Sequence, residues 1–322
     1  MAKVWSRWAG ATVNQVLLYW EAGHRHGDIS GDEPDSDIVV NGVDVNADER
    51  IGGETFFYGS PAGEVYTATH RTDITSLGLI GAGTTTITVD GLDLDEVDDG
   101  AGVLVVYSEP DAAEATIDVR DGNDIAFVNF DPPLDATVPQ TFTFESSTEE
   151  RTASLAMIVS SIHDPVPGCD CRPNFMDITV GGETTRIPDP FPDTQGREFD
   201  SGSFDVVIPA GETEVTVEMV SDFLEGNPSL PASLVWLTAA LTVPPPAQAP
   251  TTTTTTSTTS TTTTQPPAVS PTSAVVTIPE TGPSGGPSGT AVVVGLGALA
   301  AGAVLIAGAR ARNNRTTGDR TA

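Results

Sequence analysis

"GVLVVYS" (Gly102–Ser108) and "SLVWLTAALTV" (Ser233–Val243) decide the fold. Each is a short run of Val, Leu, Ala and aromatic residues without a charge. Proline bounds both, with Pro110 after the first and Pro231 and Pro244 around the second. Short apolar runs enriched in β-branched and aromatic residues and bounded by turn formers read as strands. The same texture spreads outward through "VNQVLLYW" (13–20), "SDIVVNGVDV" (36–45), "TTTITVDGL" (84–92), "ATIDVRDG" (115–122) and "TFTFES" (141–146). It continues in "SLAMIVSS" (154–161), "FMDITVGGE" (175–183), "FDVVIPAG" (204–211) and "EVTVEMVS" (214–221). Many of these alternate polar and apolar, Gly, Asp, Asn and Pro punctuate them, and no long helical period interrupts them. The expected head is all-β, built from antiparallel sandwiches of the jelly-roll or immunoglobulin-like kind.

The strands also repeat. "LLYWEAGH" (17–24) answers to "AMIVSSIH" (156–163), and "DIVVNG" (37–42) to "DITVGG" (177–182). Further on, "AGTTTITV" (82–89) answers to "AGETEVTV" (210–217), and "GVLVVYS" to "SLVWLTA". Four matches in one order point to a duplicated sandwich. The expected units are residues 1–109, with an opening strand or leader expected upstream of Met1, and residues 110–242. The succession "LLYW", "VVNG", "VLVVY" loosely resembles domains of secreted actinobacterial proteins, a likeness that bears on fold alone.

Charge narrows the partners. The chain has 45 acidic residues against 14 Lys and Arg, a formal net charge of −31. Such a surface repels phosphate backbones, so nucleic acid is not an expected partner. It suits a secreted protein or a cation-rich wall.

After the head the composition changes. Residues 243–277, "VPPPAQAPTTTTTTSTTSTTTTQPPAVSPTSAVVT", hold few large apolar side chains and read as an extended, disordered stalk. Then comes "IPETG" (278–282), a short spacer, an uncharged run from Thr290 to Ala309, and Arg310, Arg312, Arg315 and Arg320. About 20 apolar residues span a bilayer core as a helix, and flanking positive charge stays cytoplasmic. The expectation is one transmembrane helix over 290–309 with its C-terminus inside.

Pentapeptide, spacer, span and basic tail together resemble the sorting signal of Gram-positive wall proteins, the Leu-Pro-any-Thr-Gly type. Ile278 stands where Leu is usual. The resemblance implies recognition of Ile278, Pro279, Glu280, Thr281 and Gly282 by a sortase. It implies cleavage between Thr281 and Gly282, and covalent transfer of Thr281 to peptidoglycan. The displayed head would then serve as an adhesive, structural or binding module for an extracellular ligand, or alternatively as a wall-attached glycan hydrolase. Lys3 is the head's one lysine, so lysine-based isopeptide locks and pilus polymerisation do not fit. Display as single molecules does.

The search for chemistry finds little. No Gly-x-Ser-x-Gly, phosphate loop or zinc-protease helix motif occurs, so no catalytic residues are assigned. His24 and His26 in "HRHGD" have only His70 and His163 as companions in the chain, so a surface loop is the expectation rather than a metal site. Asp90, Asp93 and Asp95 in "DGLDLDEVDDG" are weak Ca²⁺ candidates, since the EF-hand spacing is absent; solvated turns are the leading reading and no cofactor is expected. Cys169 and Cys171 flank one residue between Pro167-Gly168 and Pro173-Asn174, which is compatible with a tight local disulfide, with free thiols or with an intermolecular bond.

Overall fold

The computed structural model describes residues 11–25, 36–60, 63–81, 86–93, 100–110, 114–162, 172–192, 198–247, 291–296 and 303–309. These residues form an all-β protein of antiparallel sheets, as the sequence texture requires. The strands run β1 (Thr12–Arg25), β2 (Asp37–Val40), β3 (Val43–Asn46), β4 (Glu49–Ser60), β5 (Gly63–Asp73), β6 (Thr88–Asp90), β7 (Leu92–Asp93) and β8 (Gly100–Ser108). They continue as β9 (Thr116–Ala126), β10 (Gln140–Thr143), β11 (Arg151–Ser160), β12 (Phe175–Val180), β13 (Glu183–Pro188), β14 (Phe199–Ile208), β15 (Glu214–Val220) and β16 (Leu234–Val243). β17 (Ala291–Leu296) and β18 (Ala303–Ala309) lie in the apolar tail.

The C-terminal half is a two-layer sandwich. One sheet has the order β10-β15-β12-β13 and the other β14-β11-β16-β9. Phe142, Met176, Ile178, Val215, Val217 and Met219 from the first sheet meet Leu155, Met157, Val159, Val206, Trp236 and Leu241 from the second. The N-terminal half carries the same order. β3-β2-β6 matches β13-β12-β15, and β8-β1-β5 matches β16-β11-β14, with β4 added outside β5. Its core joins Val16, Leu18, Trp20, Val103 and Val105 to Ile38, Val40, Ile87, Val89 and Leu92.

The two equivalent hairpins show why the sequence turns where it does. β2 and β3 are joined by Asn41 and Gly42, with φ of 47° and 80°; β12 and β13 are joined by Gly181 and Gly182, with φ of 58° and 80°. Two successive positive φ values make the tight hairpin turn whose twist suits paired strands, and Asn-Gly and Gly-Gly adopt it at least cost.

The two sandwiches pack face to face. Along β1, Val16, Leu18 and Trp20 point into the first core, while Leu17 and Tyr19 point into a third core between the sandwiches. Along β16, Leu234, Trp236, Ala239 and Leu241 point into the second core, while Val235, Leu237 and Ala240 join Ile158 and Ala156 of β11 in the third. These central strands are therefore buried on both faces, which accounts for apolar runs that do not alternate.

The tail differs from the expected helix. Residues 291–296 and 303–309 are strands, paired with each other and with the N-terminal half. Among the described residues no helix is long and apolar enough to cross a membrane. The physical reason lies in the setting. In lipid only a helix satisfies this backbone internally. Beside a sheet with free edges, a Val-, Leu- and Ile-containing run can satisfy it by strand pairing. Most of the stalk, from residue 248 on, lies outside the described residues.

Gly52 tests the close contact between the halves. Its φ is +80°, and a Cβ there would stand 2.7 Å from Cβ of Asn123. Gly42 has the same φ with open space around it. Gly42→Ala should cost about 1 kcal/mol from backbone strain alone. Gly52→Ala should cost about 2–4 kcal/mol, because backbone and packing must shift as well. Urea midpoints for the two variants measure the difference; equal losses would mean that Asn123 does not seat against Gly52.

Candidate functional site

The seam between the sandwiches holds the densest polar chemistry among the described residues. It arises because β9 crosses the outer face of β4 and β5 and carries Asp121 and Asn123 into it. β9 and β16 lose register between Trp236 and Thr238. β16 also shifts register against β11 there, so Leu237 and Thr238 both face the seam. The phase of the strand then resumes with Ala239 in the second core.

Asp121 is held by three donors. Tyr19 Oη donates to Oδ1 at 2.8 Å, Thr238 Oγ1 donates to the same oxygen at 2.9 Å, and Arg71 Nη1 donates to Oδ2. Arg71 also pairs with Glu49 through Nη2. Burial works against the Arg71 charge, but Asp121, Tyr19 and Glu49 outweigh it and hold the guanidinium above its ordinary value. Burial, and then the Asp121 charge, push the Tyr19 phenol well above its ordinary value. The phenol is therefore a fixed donor. Removing one partner of such a cluster leaves a buried charge uncompensated, which is the costly case.

Asn123 does for the backbone what Asp121 does for the side chains. The Gly52-Gly53 bulge interrupts the β4–β5 ladder between Ile51 and Thr55. Asn123 Nδ2 donates to the freed Gly53 carbonyl at 2.6 Å and to the Thr67 carbonyl at 2.9 Å. Thr69 Oγ1 donates to Asn123 Oδ1 at 3.1 Å, and Thr55 Oγ1 donates to the Asn123 carbonyl at 2.7 Å. Asn123 thus patches a gap in the neighbouring sheet. Deeper along the same seam, Ser160 of β11 donates to the buried carboxylate of Glu21 of β1.

These groups are committed to one another. Asp121 has no open approach for a substrate, and the arrangement works as a lock between sheets rather than as an acid–base pair. The exposed end of the seam is different. Phe56 and Tyr58 of β4 are 39% and 38% exposed. Phe56 lies edge-on to Tyr66 with ring centroids 5.7 Å apart, and 6.2 Å from Phe130 of the loop after β9. Phe130 in turn meets Phe127 at 5.6 Å. Both halves contribute to this aromatic shelf on a sheet edge. Tyr66 Oη donates to Glu64 at 2.9 Å beside it. Rings with an exposed face and a neighbouring carboxylate are a surface suited to stacking on a ligand.

The residues singled out from sequence are distributed as follows. Ile278, Pro279, Glu280, Thr281 and Gly282, along with Cys169, Cys171, Asp95, His26 and His163, lie outside the described residues. Asp90 ends β6 and Asp93 ends β7, and no group of three or more metal-ligating side chains occurs among the described residues. His24 lies on β1 and His70 on β5, where their strands pair. His70 is fully buried and stacked on Trp20 with centroids 5.2 Å apart. Asp121 and Asn123 belong to no motif that the sequence singles out; "ATIDVRDG" read only as a strand. The aromatic shelf had one signal, the unusual "FFY" at 56–58.

No protein-family model matches the chain, and no curated protein matches it. Among solved structures, it is similar to dimeric latent PorU from Porphyromonas gingivalis at 11% identity, over 70% of this chain and 21% of that one, with a TM-score of 0.24. It is also similar to the VP2 subviral particle of infectious bursal disease virus at 13% identity, over 73% of this chain and 57% of that one, with a TM-score of 0.25. Likenesses at that score carry no argument about function.

His70, whose ring faces Trp20 of the first core, supplies a pH test of that packing. Burial, and then the Arg50 charge, lower it to about 4. Between the ordinary histidine value of about 6.5 and 4, the folded state keeps the ring neutral while the unfolded chain protonates it. The stabilisation is therefore complete above about 6.5 and is lost as pH falls through 4, by about 3 kcal/mol in all. Urea unfolding at pH 7.5 and pH 4 should show His70→Phe losing less stability on acidification than the wild type, by roughly that amount. Equal losses would mean that the ring is not held neutral.

Proposed function

We propose that this chain is a sortase-anchored surface protein of a Gram-positive cell wall, with residues 1–242 displayed as a binding head. The observation that carries the reading is the order of the tail: "IPETG" (278–282), a spacer, the uncharged run 290–309, and arginines. In a bilayer the run would be a helix, its arginines would hold the end inside, and Thr281 would stand outside within reach of a membrane-bound cysteine transpeptidase. The enzyme's thiolate would attack the Thr281 carbonyl and expel the amine of Gly282. A peptidoglycan amine would then displace the thiolate, leaving an amide bond to the wall.

Residues 1–109 and 110–242 form the two units of the head, residues 243–277 a stalk, and residues 278–322 the sorting signal. The head is strongly acidic, which keeps it soluble and apart from polyanions. The aromatic shelf at Phe56, Tyr66 and Phe130 is the surface through which it would take its extracellular ligand. The sorting step needs no cofactor or metal from this chain.

Fractionation of the native host tests the display. Wild-type protein should enter solution only after muralytic digestion, with its C-terminal peptide ending at Thr281 and joined to a wall fragment. Thr281→Ala should move the full-length chain to the detergent-soluble membrane fraction, a shift of most of the protein. Wild-type protein that extracts with detergent alone and retains residues 291–309 would show a plain membrane anchor and overturn the sorting reading.

A further inference from the structure

Among the described residues up to Ser108, the N-terminal sandwich is short of two strands. In the C-terminal half, β9 closes one layer by pairing with β16, and β10 closes the other by pairing with β15. The matching edges in the N-terminal half are those of β8 and β6, and the described residues between 12 and 108 provide no strand for either. β18 takes the place of β9, antiparallel to β8 from Ala303↔Val106 to Ala307↔Gly102. β17 takes the place of β10, antiparallel to β6 at Ala291↔Val89 and Val292↔Thr88.

The correspondence extends to the seam. β9 packs on β4 and β5 of the opposite half, and β18 packs on β14 and β11 of the opposite half. Since β5 matches β14, the two sandwiches meet through a pseudo-twofold arrangement that is complete only when the β8 edge is filled. β17 and β18 differ from their counterparts in one respect: they also pair with each other, which links the two layers into a single nine-stranded sheet.

We infer that the β6–β8 gap is a strand-acceptor slot, and that its donors are the chain's own apolar strands 291–296 and 303–309. The chemistry agrees on both sides. β8 lies between two cores, so the N–H and C=O groups along its edge need partners other than water. "AVVVGL" and "AVLIAGA" provide uncharged strands of suitable length, and addition of a strand to an open edge draws affinity from main-chain hydrogen bonds. The slot stands independently of the sorting reading. Its consequence for sorting is that the segment occupies either the slot or a bilayer, because strand and helix exclude one another.

Disulfide trapping in the full-length chain tests the donor, in a Cys169→Ser, Cys171→Ser background. Val103→Cys with Ile306→Cys places thiols at partnered positions, and Val103→Cys with Ala309→Cys places them out of register. Oxidation in detergent-free buffer should bridge the first pair within a monomer at least ten times more than the second. Hydrogen exchange on the unaltered chain provides a second reading that survives misfolding of the variants. Amides of 303–309 should be protected at least tenfold over the stalk, together with those of 102–106. Bridging only between two chains would make a second copy the donor and overturn the assignment. So would absence of the bridge, or rapid exchange at 303–309. The Thr281→Ala fractionation reads anchoring whatever this result, so failure of one does not imitate failure of the other.

Discussion

A strand buried on both faces has no polar side to offer water, and this constraint governs the molecule. β1, β8, β11 and β16 each send alternate residues into a sandwich core and the residues between into the seam. Neither inner sheet could be exposed without laying bare Leu17, Tyr19, Ile158, Leu237 and their neighbours. The two sandwiches therefore act on each other as each sheet acts on its layer partner. The seam's few polar groups follow from the same constraint. Asp121, Arg71 and Tyr19 are tolerated there because each satisfies the others, and Asn123 is placed where the Gly52-Gly53 bulge leaves carbonyls to be met.

Much of the fold was legible from the sequence. The apolar runs gave the strands, although "SDIVVNGVDV" (36–45), read as one run, divides at Asn41-Gly42 into β2 and β3 through a tight turn. The paired motifs at 17–24 and 156–163, 37–42 and 177–182, and 82–89 and 210–217 anticipated the common strand order. These features are local, and local patterns carry them.

The seam was not legible, for a physical reason. Nothing in "DVRDGNDIA" distinguishes acidic residues bound for a turn from those bound for a buried lock. That outcome depends on Arg71, Tyr19 and Thr238, which arrive from strands 50 to 117 residues away. His70 likewise showed no sign of its stacking on Trp20. The tail's hydrophobicity was legible, but hydrophobicity alone does not choose between a helix in lipid and strands on a sheet. The surroundings decide, and the strand order of the other half shows what surroundings β8 and β6 offer.

The account's central claim is that the two sandwiches, joined through the faces of β1, β8, β11 and β16, unfold as one body. Hydrogen exchange followed peptide by peptide across a urea series measures this most directly. The account predicts that amides of 16–20 and 103–106 lose protection at the same urea concentration as those of 155–159 and 235–240. Loss of protection in one half at a clearly lower concentration, with the other half unchanged, would contradict it.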